Sequence, residues 1–428
     1  MNAQIVSKTS NSIKIQIEIK FLNSMLQMEE HIQDVLNEAG NIATGEGLKC
    51  FDTIGDPIVI GNVKFTSKGL LPKEYQTPYG NVNIERHVYQ TPNGGKTFCP
   101  LENNAHIIIK ATPRFAKMAS SKYSYFGAPN VCRDFETNHQ RKVVLSTIQD
   151  LSNMVGSIAL ATEEKWSYAT PEMNVSIKTI TLGLDGTSML TCEDGWRMAM
   201  TGTIALFDDV GERHHTIYIG ATPEYGKATF YERLEREIIH VKELYPDALY
   251  LGLADGAKDN WDFLGKYTER QTLDFYHVTE YLTDAADGMF GKKGKSREIW
   301  LTDACHKLKH NKTGLDFLFT EMKDFLKEKK ISIERQQKVE KTVTYFKNNM
   351  HLMNYSENVE NNLPIGSGVT EAACKVIIKE RLCCSGMRWK EGGAAAVIAL
   401  RCLNKSTGRW GQFWEKIDRY GVPEIWVH

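Results

Sequence analysis

The stretch Ile180-Thr-Leu-Gly-Leu-Asp185 opens a segment, residues 180–278, whose order of elements decides the fold. Three runs of strand-forming residues come first, ending at Asp185, Phe207 and Gly220. A helix follows, with apolar residues three or four positions apart on one face, and Pro246 ends it. A fourth strand, a short helix and a fifth strand complete the segment.

Two apolar strands each have an aspartate at their C-terminal end. Asp185 ends the first strand, and Asp255 follows the fourth, Ala248–Ala254, which is apolar as a strand buried on both faces should be. Asp-Gly is a common turn dipeptide, so a simple turn is the alternative for either aspartate alone. However, the order of elements is that of the ribonuclease-H-like fold, in which strands one and four are neighbours. The sequence therefore predicts that the two carboxylates lie together, where a divalent cation would offset their repulsion.

A third carboxylate is expected from a later helix. Residues 363–371, Leu-Pro-Ile-Gly-Ser-Gly-Val-Thr-Glu, lead into a predicted helix, Thr370–Arg381, with Glu371 in its first turn. The helix dipole also favours a carboxylate there, which is the structural alternative. Lys375 and Lys379 follow at i+4 and i+8, on the same helix face as Glu371. This pattern suits a metal ligand at the edge of a DNA track.

The composition is that of a globular protein with several domains. A chain of 428 residues exceeds one ordinary core, and 42% hydrophobic with 25% charged residues is a globular balance. A net charge of −1 argues against a protein that coats nucleic acid non-specifically. Basic segments such as Gly291–Lys312 and Glu371–Arg409 are usually solvated faces, but two of them flanking a predicted metal site favour a phosphate-lined partner.

Features of the sequence that bear on its location in the cell also limit the possible functions. The sequence has no apolar run long enough to span a membrane and no signal-peptide pattern at its start, and its nine cysteines show no paired Cys-x-x-Cys spacing. We therefore expect a cytoplasmic protein without membrane association.

The rest of the chain predicts several further domains. A helical N-terminal segment (1–50) contains an amphipathic helix, Phe21–Ala43, for packing or a dimer contact. A small β unit (51–111) contains a strand at Ile58–Phe65 and an Asn-Gly-Gly hairpin turn after Pro92. The core (175–278) is followed by an all-helical insertion (279–360) and by C-terminal core helices (361–428). The predicted fold class is thus a multidomain protein of α+β and α/β type, with a ribonuclease-H-like mixed-sheet core.

Residues 112–165 predict three helices. A basic turn, His139–Lys142, precedes the last of them. This arrangement suits a helix-turn-helix DNA-binding module with Arg141 and Lys142 on or near the contact surface, and generic helical packing is an equal alternative. In the insertion, His306 and His310 have metal-ligand spacing, but a solvated or phosphate-facing role is favoured because their helix is rich in lysine.

Together these motifs resemble the ISKra family of bacterial insertion-sequence DDE transposases. The resemblance runs from Arg86 to Tyr420, and its most specific elements are Pro364-Ile-Gly-Ser-Gly-Val-Thr-Glu371 and Ser385-Gly-Met-Arg-Trp389. The resemblance implies a metal-dependent DNA endonuclease and strand transferase that acts on the element's terminal inverted repeats and on target DNA. It also implies a homodimer or higher homo-oligomer when the DNA ends are paired, and a nucleoid location when DNA is bound.

The family's catalytic triad falls on Asp185, Asp255 and Glu371, which would hold two Mg²⁺ ions, with Mn²⁺ as a possible substitute. Asp274 and His277 resemble an element that follows the second aspartate in related transposases. Asp274 either takes part in the site or caps or pairs within the sheet. His277 either hydrogen-bonds a scissile-strand phosphate or braces the second aspartate.

Several residues near the third carboxylate are expected to contact DNA. For Trp389 the alternatives are stacking on an unpaired base and packing in the core. The basic residues of this group are Lys375, Lys379, Arg381 and Arg388. Two other function classes stay open: a ribonuclease-H-like nuclease or resolvase without strand transfer, and a catalytically silent DNA-binding descendant, which should have lost an acid.

Overall fold

A computed structural model describes residues 2–328 and 331–423. Within these residues the chain forms two compact units. The first runs through Ala169 and takes in Lys390–Asn404 and the residues from Gly408 on, while the second comprises Thr170–Trp389 with Lys405–Thr407. The sequence predicts that residues 361–428 form C-terminal helices of the core. Most of their described part after Trp389 instead belongs to the first unit, and residues 424–428 lie outside the described residues.

The first unit begins with a hairpin that the sequence pattern did not predict. Strands β1 (Ala3–Lys8) and β2 (Ile13–Ile17) pair antiparallel, and helix α1 (Met25–Lys49) follows. The helix starts four residues later than predicted. The small β unit is a four-stranded antiparallel sheet of β3 (Ile58–Ile60), β4 (Val63–Gln76), β5 (Asn81–Thr91) and β6 (Gly94–Phe98). The predicted single strand Ile58–Phe65 is interrupted at Gly61, where a φ of +59° turns the chain.

The predicted three-helix pattern between 112 and 165 is confirmed. After the short α2 (Pro100–Asn104), the helices are α3 (Pro113–Tyr125), α4 (Ala128–His139) and α5 (Leu145–Thr162). From Leu151 onward α5 is largely buried, and a Cβ at Gly156 would lie 2.5 Å from Ala396 Cβ. The last helix of the module therefore leaves mainly its N-terminal turns exposed.

The second unit contains a mixed five-stranded sheet. Its strands are β7 (Thr179–Thr191), β8 (Gly195–Phe207), β9 (Arg213–Ala221), β10 (Leu249–Ala254) and β11 (Arg270–Leu273), in the spatial order β11-β10-β7-β8-β9. β7, β8 and β9 pair antiparallel, whereas β10 runs parallel to β7 and to β11. The first and fourth strands of the segment are neighbours, as the sequence predicted.

Helices α6 (Ala228–Leu244) and α7 (Lys258–Leu264) connect these strands. The apolar face of α6 predicted from its spacing is buried at Phe230, Leu234, Ile238 and Val241. Gly202 of β8 lets this face approach closely, because a Cβ there would lie 3.2 Å from Leu234 Cδ1. The helix thus covers one face of the sheet.

Two predicted strand boundaries are wrong. β7 does not end at Asp185 but continues to Thr191, because its antiparallel pairing with β8 runs through Thr191 and Gly195. The fifth strand was expected over Thr272–His277, yet β11 ends at Leu273 and a helix begins at Phe275.

The predicted helical insertion is present, with a buried cluster of its own that includes Leu282, Leu318, Met322 and Phe346. Its elements are α8 (Phe275–Phe290), α9 (Lys295–His310), α10 (Gly314–Leu326), α11 (Ile333–Asn349), a 3₁₀ turn (Met350–Leu352) and α12 (Tyr355–Glu360). Among the described residues, no helix is long and apolar enough to cross a membrane.

The chain then forms one continuous helical segment. It consists of α13 (Gly368–Ala373), a π-helical stretch (Cys374–Lys379) and α14 (Glu380–Leu382). The final helices, α15 (Glu391–Lys405) and α16 (Arg409–Tyr420), follow.

Candidate active site

Asp185 and Asp255 lie at the same edge of the parallel strand pair. The pairing of β7 with β10 ends with Gly183 opposite Leu253, and each aspartate is two residues beyond this last β7–β10 pair. Burial raises the pKa of the Asp185 carboxyl, and the charge of Asp255 raises it further. The Gly186 N–H, which donates to Asp185 Oδ1 at 2.6 Å, works in the opposite direction. The fold thus holds Asp185 where burial and the charge of Asp255 both disfavour its ionisation.

Glu371 reaches this edge from α13. The preceding residue, Thr370, is buried and its hydroxyl hydrogen-bonds that of Thr203 on β8 at 2.7 Å. A Cβ at Gly183 would lie 2.0 Å from Thr370 Oγ1, so only glycine at this β7 position admits the helix. Burial raises the pKa of Glu371, and the charges of Asp274 and Asp185 raise it further. Asp185 is therefore linked electrostatically to both of the other predicted carboxylates, Asp255 and Glu371.

The turn that carries Asp255 is held from two sides. Its Oδ1 accepts hydrogen bonds from Ala257 N and from Asn260 Nδ2, each at 3.3 Å. On the other side, the hydroxyl of Tyr345 in α11 donates to the main-chain oxygen of Asp255 at 3.2 Å. Gly256 has a φ of +98°, and a Cβ there would lie 3.1 Å from that hydroxyl.

Asp274 is the N-cap of α8, as the capping alternative predicted, and its part in the site stays a prediction. Its carboxylate accepts from Tyr276 N at 3.3 Å and from His277 N at 3.1 Å. It also accepts from Ser367 N at 2.9 Å, just before α13. Asp274 is 1% exposed, and three main-chain N–H groups occupy its oxygens. It therefore positions the segment that carries Glu371.

His277 lies in the first turn of α8, not in a strand. Its Nδ1 is 3.4 Å from Glu280 Oε2, and its ring meets the rings of Tyr281 and Tyr345 edge-on. Those two tyrosines are stacked with centroids 3.7 Å apart. Because Tyr345 bonds to Asp255, His277 braces the second aspartate through an intervening side chain. The predicted contact with a phosphate stays a prediction.

Two residues predicted to contact DNA are buried. Arg141 is 3% exposed, and its guanidinium donates to Thr77 O, Asn81 Oδ1 and Gln76 Oε1. Arg381 is also 3% exposed and lies over the Trp389 ring, 5.0 Å from its centroid. Their placement at a DNA surface was therefore wrong, because a sequence pattern of basic residues does not distinguish buried guanidinium groups from exposed ones.

Other residues of the predicted DNA-contacting set are exposed: Lys142, Lys375, Lys379 and Arg388. The π-helical stretch changes the expected one-face spacing of Glu371, Lys375 and Lys379, because its turns contain more residues than those of an α-helix. Even so, Lys379 lies close enough to Asp185 for its charge to lower the pKa of that carboxyl.

Trp389 is half-buried and structural. Its indole N–H donates to Leu382 O at 2.9 Å. Its backbone pairs with the far end of β7, accepting from Cys192 N at 2.9 Å and donating to Leu190 O at 3.1 Å. These contacts favour the packing alternative over base stacking.

Compact metal-binding geometry occurs elsewhere in the sheet. Among the described residues, only Asp208, Glu212 and His214 place three possible ligand atoms within 4.8 Å of one another. Asp208 already accepts from Val210 N, Glu212 N and His214 Nε2, so this cluster has the bonding of a side-chain-capped turn between β8 and β9.

The residues at the predicted site fit a hard divalent cation. They supply carboxylate oxygens, the donor type that Mg²⁺ and Mn²⁺ prefer. In addition, the buried Asn260 Oδ1 has no hydrogen-bond partner and belongs to the side chain that bonds Asp255. A cation held there would satisfy this oxygen.

Several residues of the site were not predicted from the sequence. Asn260 stands five residues after Asp255, and this proximity to a predicted ligand is the signal that could have identified it. Cys374, whose thiol is 3.5 Å from Asp185 Oδ2, follows the third carboxylate closely. Tyr345 lies in the insertion and carries no sequence signature. Neither a protein-family model nor a curated protein matches this chain.

Proposed function

We propose that this chain is a DDE transposase of the ISKra type, with a ribonuclease-H-like catalytic core in its second unit. The observation that carries the proposal is the convergence of Asp185, Asp255 and Glu371 from two neighbouring strands and a distant helix. In two of them, burial and neighbouring negative charge raise the pKa. A group of acids held against its own repulsion is typical of a site for divalent cations.

In this proposal Asp185, Asp255 and Glu371 would hold two Mg²⁺ ions. When bound, such ions activate the attacking water or 3′-hydroxyl and stabilise the leaving oxygen of the phosphodiester. The chain's own groups support two of these carboxylates: the charge of Lys379 lowers the pKa of Asp185 against the raising effect of burial, and Asp274 fixes the start of the Glu371 helix. The protein would act in the cytoplasm on DNA, as a homodimer or a higher homo-oligomer when two ends are paired.

The test is an end-joining assay with the full-length protein. Inverted repeats in the DNA that flanks the gene would supply the substrate. With Mg²⁺ or Mn²⁺ we expect cleavage at the repeat ends and joining of the new 3′ ends to a target plasmid, and with EDTA neither. Cleavage without joining would instead indicate a nuclease or resolvase. Binding to the repeats without any cleavage would indicate a catalytically silent DNA-binding protein.

The exposed lysines after Glu371 give a second measurable expectation. If Lys375 and Lys379 each neutralise a phosphate, replacing both by alanine should weaken binding to all DNA sequences. It should also reduce the slope of log affinity against log salt by about 1.8, that is about 0.9 for each phosphate that is no longer neutralised. Binding is measured in EDTA by fluorescence anisotropy over a range of salt concentrations, so that effects on a metal centre do not contribute.

The matched control replaces Lys327 and Lys347, two exposed lysines of the insertion, by alanine. It removes the same total charge and should leave the slope nearly unchanged. Glu371→Gln should likewise bind DNA with little change in slope. An unaltered slope in the Lys375→Ala/Lys379→Ala protein would show that the DNA path lies elsewhere.

A further inference from the structure

Asn260 is a buried polar residue beside the second carboxylate. It lies in α7, is 4% exposed, and donates from Nδ2 to Asp255 Oδ1 at 3.3 Å. A short helix places it there: α7 begins three residues after Asp255, and its first turn folds back over the Asp255–Gly256 turn. The amide therefore faces the carboxylate that is proposed to hold a cation.

The other end of this amide has no partner. Asn260 Oδ1 is buried and accepts no hydrogen bond, and leaving such an oxygen unsatisfied is unfavourable because it has lost its contact with water. Asn358 in α12 has the same deficiency, but its Nδ2 donates to Thr272 Oγ1 at 2.7 Å rather than to a carboxylate. Of these two amides, Asn260 is the one bonded to a member of the acidic group.

Rotation about the last side-chain torsion exchanges the two ends of an amide with little movement of the other atoms, because that torsion is broad and roughly two-fold. Without a cation, the N–H end faces Asp255 and stabilises its charge. With a cation, the oxygen end can turn toward it, and amide oxygens are ordinary ligands of hard divalent ions. In the first state Asn260 Oδ1 has no partner. In the second state the cation satisfies this oxygen, and it replaces the hydrogen bond from Asn260 Nδ2 as the partner of Asp255.

We propose that Asn260 is a fourth protein ligand, which donates its amide oxygen to the cation held by Asp255. This inference rests on the proposed function, since it assigns a further residue to the same metal site. It makes the turn after β10 a two-ligand element, in which Asp255 supplies charge and Asn260 supplies a neutral oxygen. Metal affinity should therefore depend on the oxygen at position 260 and not on the N–H group.

The experiment titrates Mn²⁺ into the full-length protein without DNA and measures binding by isothermal titration calorimetry. Asn260→Leu removes the oxygen and should weaken Mn²⁺ binding about 10–100-fold. Asn260→Asp keeps an oxygen but loses the N–H donor, and it should bind Mn²⁺ at least as tightly as the unmodified protein. Equal weakening in both variants would overturn the proposal, because it would show that the residue acts only as a donor to Asp255.

Controls separate this inference from the proposed function. Asn358→Leu, which removes a buried unpartnered amide that is not bonded to the acidic group, should bind Mn²⁺ normally, and Asp255→Asn should lose binding. Loss in Asp255→Asn with unchanged binding in Asn260→Leu would overturn the role of Asn260 alone. Absence of Mn²⁺ binding by the unmodified protein would overturn the metal centre itself. Circular dichroism checks folding, and if Asn260→Leu does not fold, Asn260→Asp decides, since a tenfold weakening there contradicts the proposal.

Discussion

Replacing Asp185 by asparagine is expected to lower Mg²⁺-dependent cleavage at least about a thousandfold, because ~4 kcal/mol of lost metal-centred stabilisation corresponds to a factor of about 10³. Binding to DNA ends should be largely retained, since the substitution preserves size and leaves the lysines in place. Cleavage rates on labelled ends, measured beside the affinity for the same DNA, test both statements. Substantial residual cleavage would remove Asp185 from the site.

The same variant should be more stable than the unmodified protein when no metal is present. The folded-state pKa of Asp185 is raised, so the folded protein binds its proton more tightly than the unfolded chain does. The stability of the metal-free protein therefore falls as pH rises from the ordinary aspartate pKa through the raised one, and Asp185→Asn removes this loss. Thermal unfolding in EDTA at neutral pH should show a higher midpoint. Asp209→Asn, at an exposed acid outside the site, should show no such gain.

Gly183→Ala is expected to damage both stability and activity. The new Cβ would lie 2.0 Å from Thr370 Oγ1 and 3.0 Å from Thr203 Oγ1, two buried hydroxyls that bond to each other. Overpacking of this kind costs about 1–3 kcal/mol. Since relief requires α13 to move away from the sheet, Glu371 would be displaced and cleavage should fall as well. Denaturant unfolding and cleavage assays measure the two effects.

A second substitution distinguishes a steric cause from other causes. Thr370→Ala removes the nearest clashing atom, so Gly183→Ala should cost less in that background than in the unmodified protein. Gly252→Ala, on the neighbouring strand, is the matched control, because its Cβ would meet Leu264 Cβ at an ordinary 3.4 Å. Equal losses at Gly183 and Gly252 would argue against helix displacement.

The sheet was predictable because hydrophobic patterning identifies its strands and helices, and their order along the chain indicates which strands are neighbours. The three strands, helix, strand, helix and strand of residues 180–278 have local sequence patterns, and their order alone predicted that β7 and β10 are neighbours. Strand ends were less predictable. β7 passes Asp185 because β8 continues to pair with it, and cross-strand hydrogen bonds have no signature in one strand's sequence. Likewise, the sequence around Asp274 is compatible with either a strand or a cap. Two of its three main-chain donors belong to its own helix, and the third, Ser367 N, comes from the tertiary structure.

Side-chain burial was the least predictable property. Arg141 and Arg381 stand in basic patterns that are typical of a surface, yet their guanidinium groups serve buried carbonyl and aromatic partners. The residues of the site also differ in how predictable they were. Its three acids follow motifs, whereas Asn260 and Tyr345 act through the tertiary structure: the first by the fold-back of α7, the second from a helix of the insertion.

The hydrogen bond from Tyr345 to the main chain of Asp255 bears on how such a protein could be inherited or re-engineered. An insertion between a strand and a helix is often regarded as an interchangeable module, free to be lost or exchanged while the parent fold persists. Here the inserted helices supply one of the supports of the second carboxylate and the ring that Tyr281 and His277 contact. Deletion or exchange of the insertion would therefore have to replace that support, so insertion and site are constrained to change together.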